Sequence, residues 1–362
     1  MRDPAHADLL EHARLGLLYE GGDFSFTDWT QAPSLAGIRC VRTGFRGVRL
    51  DHTALVGAMF VQCDLSGAVF AGADLRDVQF IECTLTAARF DGAQLSGTVF
   101  LQCALAQAGL AAAQLTDTTF MKCDLSQARL PGARIDGTAL MECNLSGIDL
   151  SGVTATRLIA TKADLTDAIL TGLTCDTVLL AEADLSGLDL TSLALARVNM
   201  MGSNLAGSNL AGVDLSGSFM KACGLAGADL SGITAPQAHF AQSDLTGARL
   251  VEARLGGANF MSARLGQADF TGADLEMAVM TGASAPAARF VGANLAHATL
   301  AGARLEGADF SGATFKRTDL HRANTLGALN FGATGDTLET DPERAVAELY
   351  NPQQVRRAIP EQ

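Results

Sequence analysis

A five-residue period runs through this chain without interruption from Phe45 to Leu320. The centre of each step stands at a multiple of five and is Leu, Phe or Met at nearly all of the 56 steps. The residue two positions before a centre is usually Ala, Cys or another small residue, as in Ala73-Asp74-Leu75. A period of five fits neither a helix, which repeats every 3.6 residues, nor a simple strand. It fits a chain that turns one corner every five residues, and it constrains the fold more than any other feature.

A second, longer period spans four of these steps and indicates that four corners close one coil. Cysteines recur at this spacing, each two positions before a leucine centre: Cys63, Cys83, Cys103, Cys123 and Cys143. Residues four steps apart should therefore stack on one side of a square coil. Parallel side chains on successive coils cannot converge on one tetrahedral ion and are too far apart for an easy disulfide. We expect these thiols to fill the core as small apolar side chains.

The pattern A-(D/N)-L-x-x resembles the repeat of the pentapeptide-repeat family over about residues 35–330. The resemblance implies an all-β fold, a right-handed quadrilateral β-helix in which the small residue and the centre residue point inward. At four units per coil, 56 units give about 14 coils. A spacing of ~4.8 Å between paired coils then gives a solenoid about 65–70 Å long.

Both ends of the solenoid need a cover, because an open β-helix end is an exposed sheet edge. We predict a partly helical N-terminal cap over residues 1–34, the β-helix over 35–330, and a linker with a helical cap over 331–362. Asp3-Pro4 and Asp341-Pro342 both have the pattern of a helix start with proline at the first helical position. The alternative for the C-terminal tail is homodimerisation, which the resemblance to the family also implies.

Composition and motifs exclude several functions. A net charge of −13 disfavours direct nucleic-acid binding, and no apolar stretch approaches the roughly 18 residues that span a bilayer. The first residues do not resemble a secretory signal, so eight cysteines indicate reduced thiols in a cytoplasmic protein. The six histidines are scattered, and no phosphate loop or nucleophile–base pair stands out. We expect a protein that is not an enzyme and takes no cofactor or metal.

One side of the predicted coil, named here the Phe80 face, carries every fourth centre from Phe60 to Phe260. Residues beside these centres should be exposed, yet many are apolar, and a polar column runs next to them. We predict a protein-binding surface there. Its residues are Met59, Val61, Ile81, Leu101, Met121, Met141, Met201, Phe219 and Met261, with Glu82, Lys122 and Glu142 at the margin. The alternative is that these side chains fold over their neighbours as β-forming residues on a flat sheet.

Two other sides, named the Leu65 face and the Phe70 face after their centres, are predicted to be structural. The Leu65 face carries an outward column of Asp and Asn, which should cap local backbone amides. The Phe70 face alternates Asp and Arg from Asp229 to Asp309, which should form weak ion pairs between coils.

The fourth side, the Leu75 face, is irregular in the middle of the chain. Its centres shrink to Ala155 and Cys175, while the inner positions swell to Val153 and Leu173. A close-packed core requires such compensation. We expect the stretch around 148–200 to widen or twist differently from the rest.

Three functions fit these observations. The first is a scaffold or adaptor that presents the Phe80 face to a protein partner. The variant F-x-x-C-x-L is similar to members of the family that accompany bacterial type VI secretion, which implies a role in docking secreted cargo. The second is a DNA-mimicking modulator of DNA gyrase, as in the quinolone-resistance branch of the family. The third is a structural spacer. Bulky apolar residues on an outward face favour the first.

The variant Leu101→Asp with Met121→Asp tests the outward assignment. If both side chains leave the core, the purified double variant should keep the wild-type circular dichroism spectrum, because no charge is buried. Loss of the β-sheet signal would show that this column points inward.

Overall fold

In the computed structural model, which describes residues 4–32, 34–329 and 335–343, one helix precedes a β-solenoid. Helix α1 spans Pro4–Leu15 and begins at the proline that the sequence places at a helix start. The strands are β1 (Leu18–Glu20), β2 (Arg39–Val41), β3 (Met59–Val61), β4 (Gln79–Ile81), β5 (Val99–Leu101), β6 (Gln114–Thr116), β7 (Thr119–Met121), β8 (Arg134–Asp136), β9 (Ala139–Met141), β10 (Thr154–Ile159), β11 (Thr174–Leu179), β12 (Thr318–Asp319) and β13 (Thr337–Leu338).

Successive coils pair in parallel, and each residue lies opposite the one four repeat units further along the chain. Phe60 lies opposite Phe80 in the β3–β4 pair, and single bridges such as Asp64 with Thr84 continue this register outside the named strands. The predicted β-helix is confirmed. Pairing runs from Leu18 to Leu338, which at four units per coil is about 16 coils.

The additional coils lie at the two ends of the repeat. β1 pairs with β2 at a spacing of 21, with Leu18 opposite Arg39, because six positions instead of five separate Trp29 from Leu35. β1 lies within the segment that we assigned to the N-terminal cap, whereas β2 lies in the segment assigned to the β-helix, and the domain boundaries stay a prediction. The C-terminal helical cap or dimerisation tail falls mostly on residues outside the described ranges.

Most five-residue sides are closed by a tight turn, whereas the corners after Phe60 and Phe80 are passed by a strand and a bend. After the centre Leu65, Ser66 and Gly67 form the corner, and the N–H of Ala68 donates to the Leu65 carbonyl at 3.0 Å. Gly67 has φ +65°, as the third residue of a type II turn requires. Between coils, the N–H of Leu65 donates to the carbonyl of Thr84 at 2.7 Å. Turn and ladder together satisfy the backbone of a narrow coil that has almost no loops.

The interior contains the two inward positions of each unit, as the repeat predicts. Centre residues and the small residues two positions before them are buried throughout most of the solenoid. Phenylalanines one coil apart stack face to face, with ring centroids 4.6 Å apart for Phe100 and Phe120 and 5.0 Å for Phe70 and Phe90. The register imposes this stacking, because it places identical side chains one coil apart.

Helix α1 covers the N-terminal end of this core. Leu9 is 1% exposed and belongs to the same buried cluster as the solenoid interior. The His6 ring lies 4.4 Å from the Trp29 ring, and Phe24 stacks on Phe45 at 5.5 Å. These contacts bury the aromatic residues of the first coil, which would otherwise face solvent.

The middle of the solenoid is packed less tightly than the coils on either side of it. An apolar cavity of about 30 Å³ lies inside it, lined by residues between Leu140 and Leu195. Leu170 and Leu193 are each 8% exposed, whereas most centres elsewhere are at 0%. β10 and β11 here run for six residues each and pass through a corner. The small centres Ala155 and Cys175 leave volume that the larger inner residues do not fill completely.

The cysteine column lies in the core and also donates hydrogen bonds. The Sγ of Cys83 lies 3.3 Å from the Phe60 carbonyl oxygen and 3.4 Å from that of Ile81. Further along the same column, the hydroxyl of Ser203 donates to the Leu180 carbonyl at 2.5 Å. All eight cysteines are free thiols. Burial raises the pKa of Cys40 to about 12 and that of Cys223 to about 11, so these thiols stay protonated.

A matched pair of substitutions tests the turn geometry. Gly67 and Ala87 occupy the same corner of adjacent coils, with φ +65° and +55°, and an added Cβ at Gly67 would meet no atom within 4 Å. Gly67→Ala should therefore lower the free energy of unfolding by about 1 kcal/mol through backbone strain alone. Ala87→Gly should raise it by a similar amount, because it relieves the same strain. Urea denaturation measures both. Equal destabilisation by the two changes would contradict the assigned turn.

Thiol reactivity tests the buried column. In the native protein a thiol reagent such as DTNB should label the cysteines far more slowly than free cysteine, because the column is buried. Half-buried Cys175 should react first. All eight should react at once in concentrated guanidinium chloride. Fast native labelling of Cys83 or Cys103 would contradict the packing.

Candidate functional site

The first part of the Phe80 face is built on strands β3, β4, β5, β7 and β9. Each strand buries its central residue and turns the residue after it outward. These outward residues form one line, named here the apolar column: Val61, Ile81, Leu101, Met121 and Met141. The geometry follows from the in-register pairing, which gives every coil the same inward and outward positions.

The side chains of the apolar column are half-buried. Met59, before the first centre, is half-buried as well. Because identical positions stack one coil apart, each side chain covers part of the next one. The column points outward, as predicted, but it exposes only a part of each side chain to solvent. Coverage by neighbouring coils, which was the alternative interpretation, therefore accounts for part of this stripe.

A polar margin runs beside the apolar column at the corner position. Gln62 donates to Glu82 at 2.8 Å, and the ammonium of Lys122 lies 3.8 Å from the carboxylate of Glu142. These side chains are exposed, and each pair contributes only a few tenths of a kcal/mol. Their long stems form a raised edge along the apolar column.

The second part of the Phe80 face exposes its apolar side chains much more. Met201 is 48% exposed, Phe219 51% and Met261 45%. The three residues line an open groove of about 450 Å³. The ring of Phe219 stacks on the His239 ring, with centroids 5.1 Å apart and planes 13° apart. Three coils, or ~14 Å, separate this groove from Met141.

The groove exists because the corner column changes at this point. Long side chains occupy the corner up to Glu182, but the next two coils have Gly202 and Ala222 there. Without the raised edge, the surface beside Phe219 is open to solvent. The polar residues of the groove were not predicted from the sequence, although the loss of long side chains at the corner indicates an opening there. They are Asn199, Lys221, His239, Gln242 and Asn259.

The acidic residues of the other faces are engaged in local turns. Asp64 on the Leu65 face accepts the N–H of Ser66 at 3.0 Å, and Asp184 accepts that of Ser186 at 3.0 Å. On the Phe70 face, Asp269 lies 3.7 Å from Arg289, one step of the predicted charge ladder. A hydrogen bond from the Ser311 hydroxyl lowers the pKa of Asp309. These carboxylates stabilise turns and coil stacking, in agreement with the structural interpretation of both faces.

The described parts of the chain contain neither a cluster of metal-binding side chains nor a helix that could cross a membrane. No group of three or more His, Cys, Asp or Glu side chains there is placed to hold a metal ion. No helix within the described ranges has the length and apolar character that crossing a bilayer requires.

The predicted binding residues thus fall into two groups on one face. Met59, the apolar column and its margin of Glu82, Lys122 and Glu142 form a continuous strip on the first coils. Met201, Phe219 and Met261 form the groove further along the solenoid. The structure places both groups on one side but does not bring them into contact.

Comparison with known proteins agrees with this architecture. A family model for pentapeptide repeats matches eight copies, over residues 43–78, 63–102, 108–147, 133–172, 179–221, 223–261, 248–284 and 288–324. HetL, a pentapeptide repeat protein involved in heterocyst differentiation regulation from the cyanobacterium Nostoc sp. strain PCC 7120, is 28% identical. The match covers 63% of this chain and 90% of HetL, with a TM-score of 0.31.

QnrB1, a plasmid-mediated fluoroquinolone resistance protein, is 18% identical over 72% of this chain and 92% of its own, with a TM-score of 0.29. No curated protein sequence matches this chain. The family model covers well over half of the residues, and its copies follow the coils that the structure shows. The chain belongs to the pentapeptide-repeat family.

Proposed function

We propose that this protein is a non-enzymatic scaffold that binds a protein partner along the Phe80 face. The observation that carries the proposal is the concentration of outward apolar side chains on one side of the stack of coils. The apolar column and the groove both lie there, whereas the described residues of the Leu65 and Phe70 faces are mainly small, polar or charged. Interfaces are enriched in Met and aromatic residues, and both types occur in the two groups.

The rigidity of the solenoid supports the same function. Both parts of the Phe80 face stand on backbone that is hydrogen-bonded to the coils on either side. A partner that docks on such a surface orders few side chains and no loops, so less of the interaction energy is lost to conformational entropy. The ~14 Å between the two groups suits a partner that contacts the face at two places.

A reducing location and a secretion context belong to the same proposal. The eight free thiols are compatible with the cytoplasm. The F-x-x-C-x-L form of the repeat, present at Phe60 to Leu65 and in the following coils, makes type VI secretion cargo the first partner class to test. A DNA-mimicking action on gyrase is the alternative.

Affinity capture followed by direct titration tests the scaffold. Proteins captured from a bacterial host lysate are identified by mass spectrometry, and the purified candidate is titrated calorimetrically against wild type and Leu101→Asp with Met121→Asp. The double variant should weaken binding at least tenfold, because it places two charges in an apolar contact.

The matched control is Thr86→Asp with Ala106→Asp, which adds the same charges at the same turn position of the Leu65 face. It should bind within about twofold of wild type. Equal loss in both double variants would mean that charge alone matters. A gyrase subunit that binds both variants as tightly as wild type would replace the scaffold with the DNA-mimicking function.

A further inference from the structure

The groove on the Phe80 face differs in charge from the rest of this acidic protein. Along the preceding coils the corner of this face carries charges of both signs, Glu82, Glu142 and Glu182 together with Lys122 and Lys162. From Asn199 to Met261, none of the described residues that line the groove has a carboxylate, and Lys221 and His239 lie within it. On a chain with a net charge of −13, this is a local exception.

Among the described residues, the lysine of the groove has no ion-pair partner. Within the described ranges, no carboxylate forms an ion pair with Lys221, although exposed lysines elsewhere on this face lie close to glutamates. On the adjacent Leu65 face, the carboxylate of Asp244 lies 3.2 Å from Arg264. The exposed ammonium of Lys221 is therefore available to a carboxylate from outside the chain.

The apolar part of the groove suits one large side chain. Met201 lies one coil before Phe219 and Met261 lies two coils after it, and all three expose about half of their surface. Methionine side chains adapt to different shapes and make favourable contacts with aromatic rings. Phe219 is supported from one side by the His239 ring and exposes about half of its surface to solvent.

We propose that this groove binds an extended acidic segment of another protein, with one aromatic side chain among Met201, Phe219 and Met261 and a carboxylate beside Lys221. The inference rests on the proposed scaffold function and names the chemistry of the partner at its second contact. Apolar contact supplies the affinity, and the positive charge in the groove selects acidic over basic sequences.

Fluorescence anisotropy with a synthetic probe tests the proposal on the full chain. The probe is a fluorescein-labelled heptapeptide with a central tryptophan between two glycines and two acidic residues at each end. We expect saturable binding with a Kd on the order of 100 µM, since the contact is small. A peptide with alanine in place of tryptophan, and one with lysines in place of the acids, should each bind at least tenfold more weakly.

Substitutions in the groove locate the binding. Phe219→Ala should weaken it at least tenfold and Lys221→Glu at least fivefold. Both residues are exposed, and circular dichroism verifies that the variants fold. Lys316→Glu, an identical charge change on an exposed residue of another face, is the matched control and should stay within twofold. Equal effects of Lys221→Glu and Lys316→Glu, or equal binding of the basic peptide, would overturn the proposal.

Three further outcomes also overturn it, and a fourth rejects the scaffold function. If sedimentation shows that the wild type self-associates and Phe219→Ala does not, a second copy of this chain covers the groove. If a single-stranded oligonucleotide competes better than the acidic peptide, the groove binds phosphates. Failure of the peptide, with partner binding still dependent on Leu101 and Met121, would reject the groove assignment alone. A captured partner insensitive to every Phe80-face variant would reject the scaffold.

Discussion

Hydrogen bonds between the backbones of successive coils are the constraint on which the whole structure depends. Leu65 donates to Thr84 and Thr84 donates to Cys63, and this pattern recurs through the stack. Such a ladder tolerates no slip, because one extra residue within a side would turn an inward column outward. The chain has one step of six residues, between the centres Trp29 and Leu35. This step lies near the N-terminal end of the solenoid, where only one coil precedes it and α1 covers the end.

This constraint separates the interior from the surface. Inward positions must be small or of fixed size, so Ala, Leu, Phe and Cys repeat with little variety. Outward positions contact mainly their neighbours in the same turn and the same position on the coils above and below, so each face can vary almost independently. The side chains of the outward columns therefore determine what such a solenoid can bind. Here the variation concentrates on the Phe80 face, as half-buried apolar residues on the first coils and as an open groove around Phe219.

The candidate site could be predicted only in part. The column from Val61 to Met141 was identifiable, because a fixed register converts position in the sequence directly into position on the face. How far each side chain is exposed was not, because that depends on its neighbours on adjacent coils. Val61 and Met201 occupy equivalent positions on their coils. Val61 is largely covered by its neighbours, whereas Met201 exposes 48% of its surface.

The sequence by itself determined the coil, its register of four units, the inward positions and the face that carries the apolar residues. These features follow from the strict five-residue period, because regular turns allow the coils to stack in only one register. Only the tertiary structure decided three features: the cavity between Leu140 and Leu195, the packing of α1 against the aromatic residues of the first coil, and the groove around Phe219. Each depends on how side chains from several coils share a volume or leave one open, which no single repeat encodes.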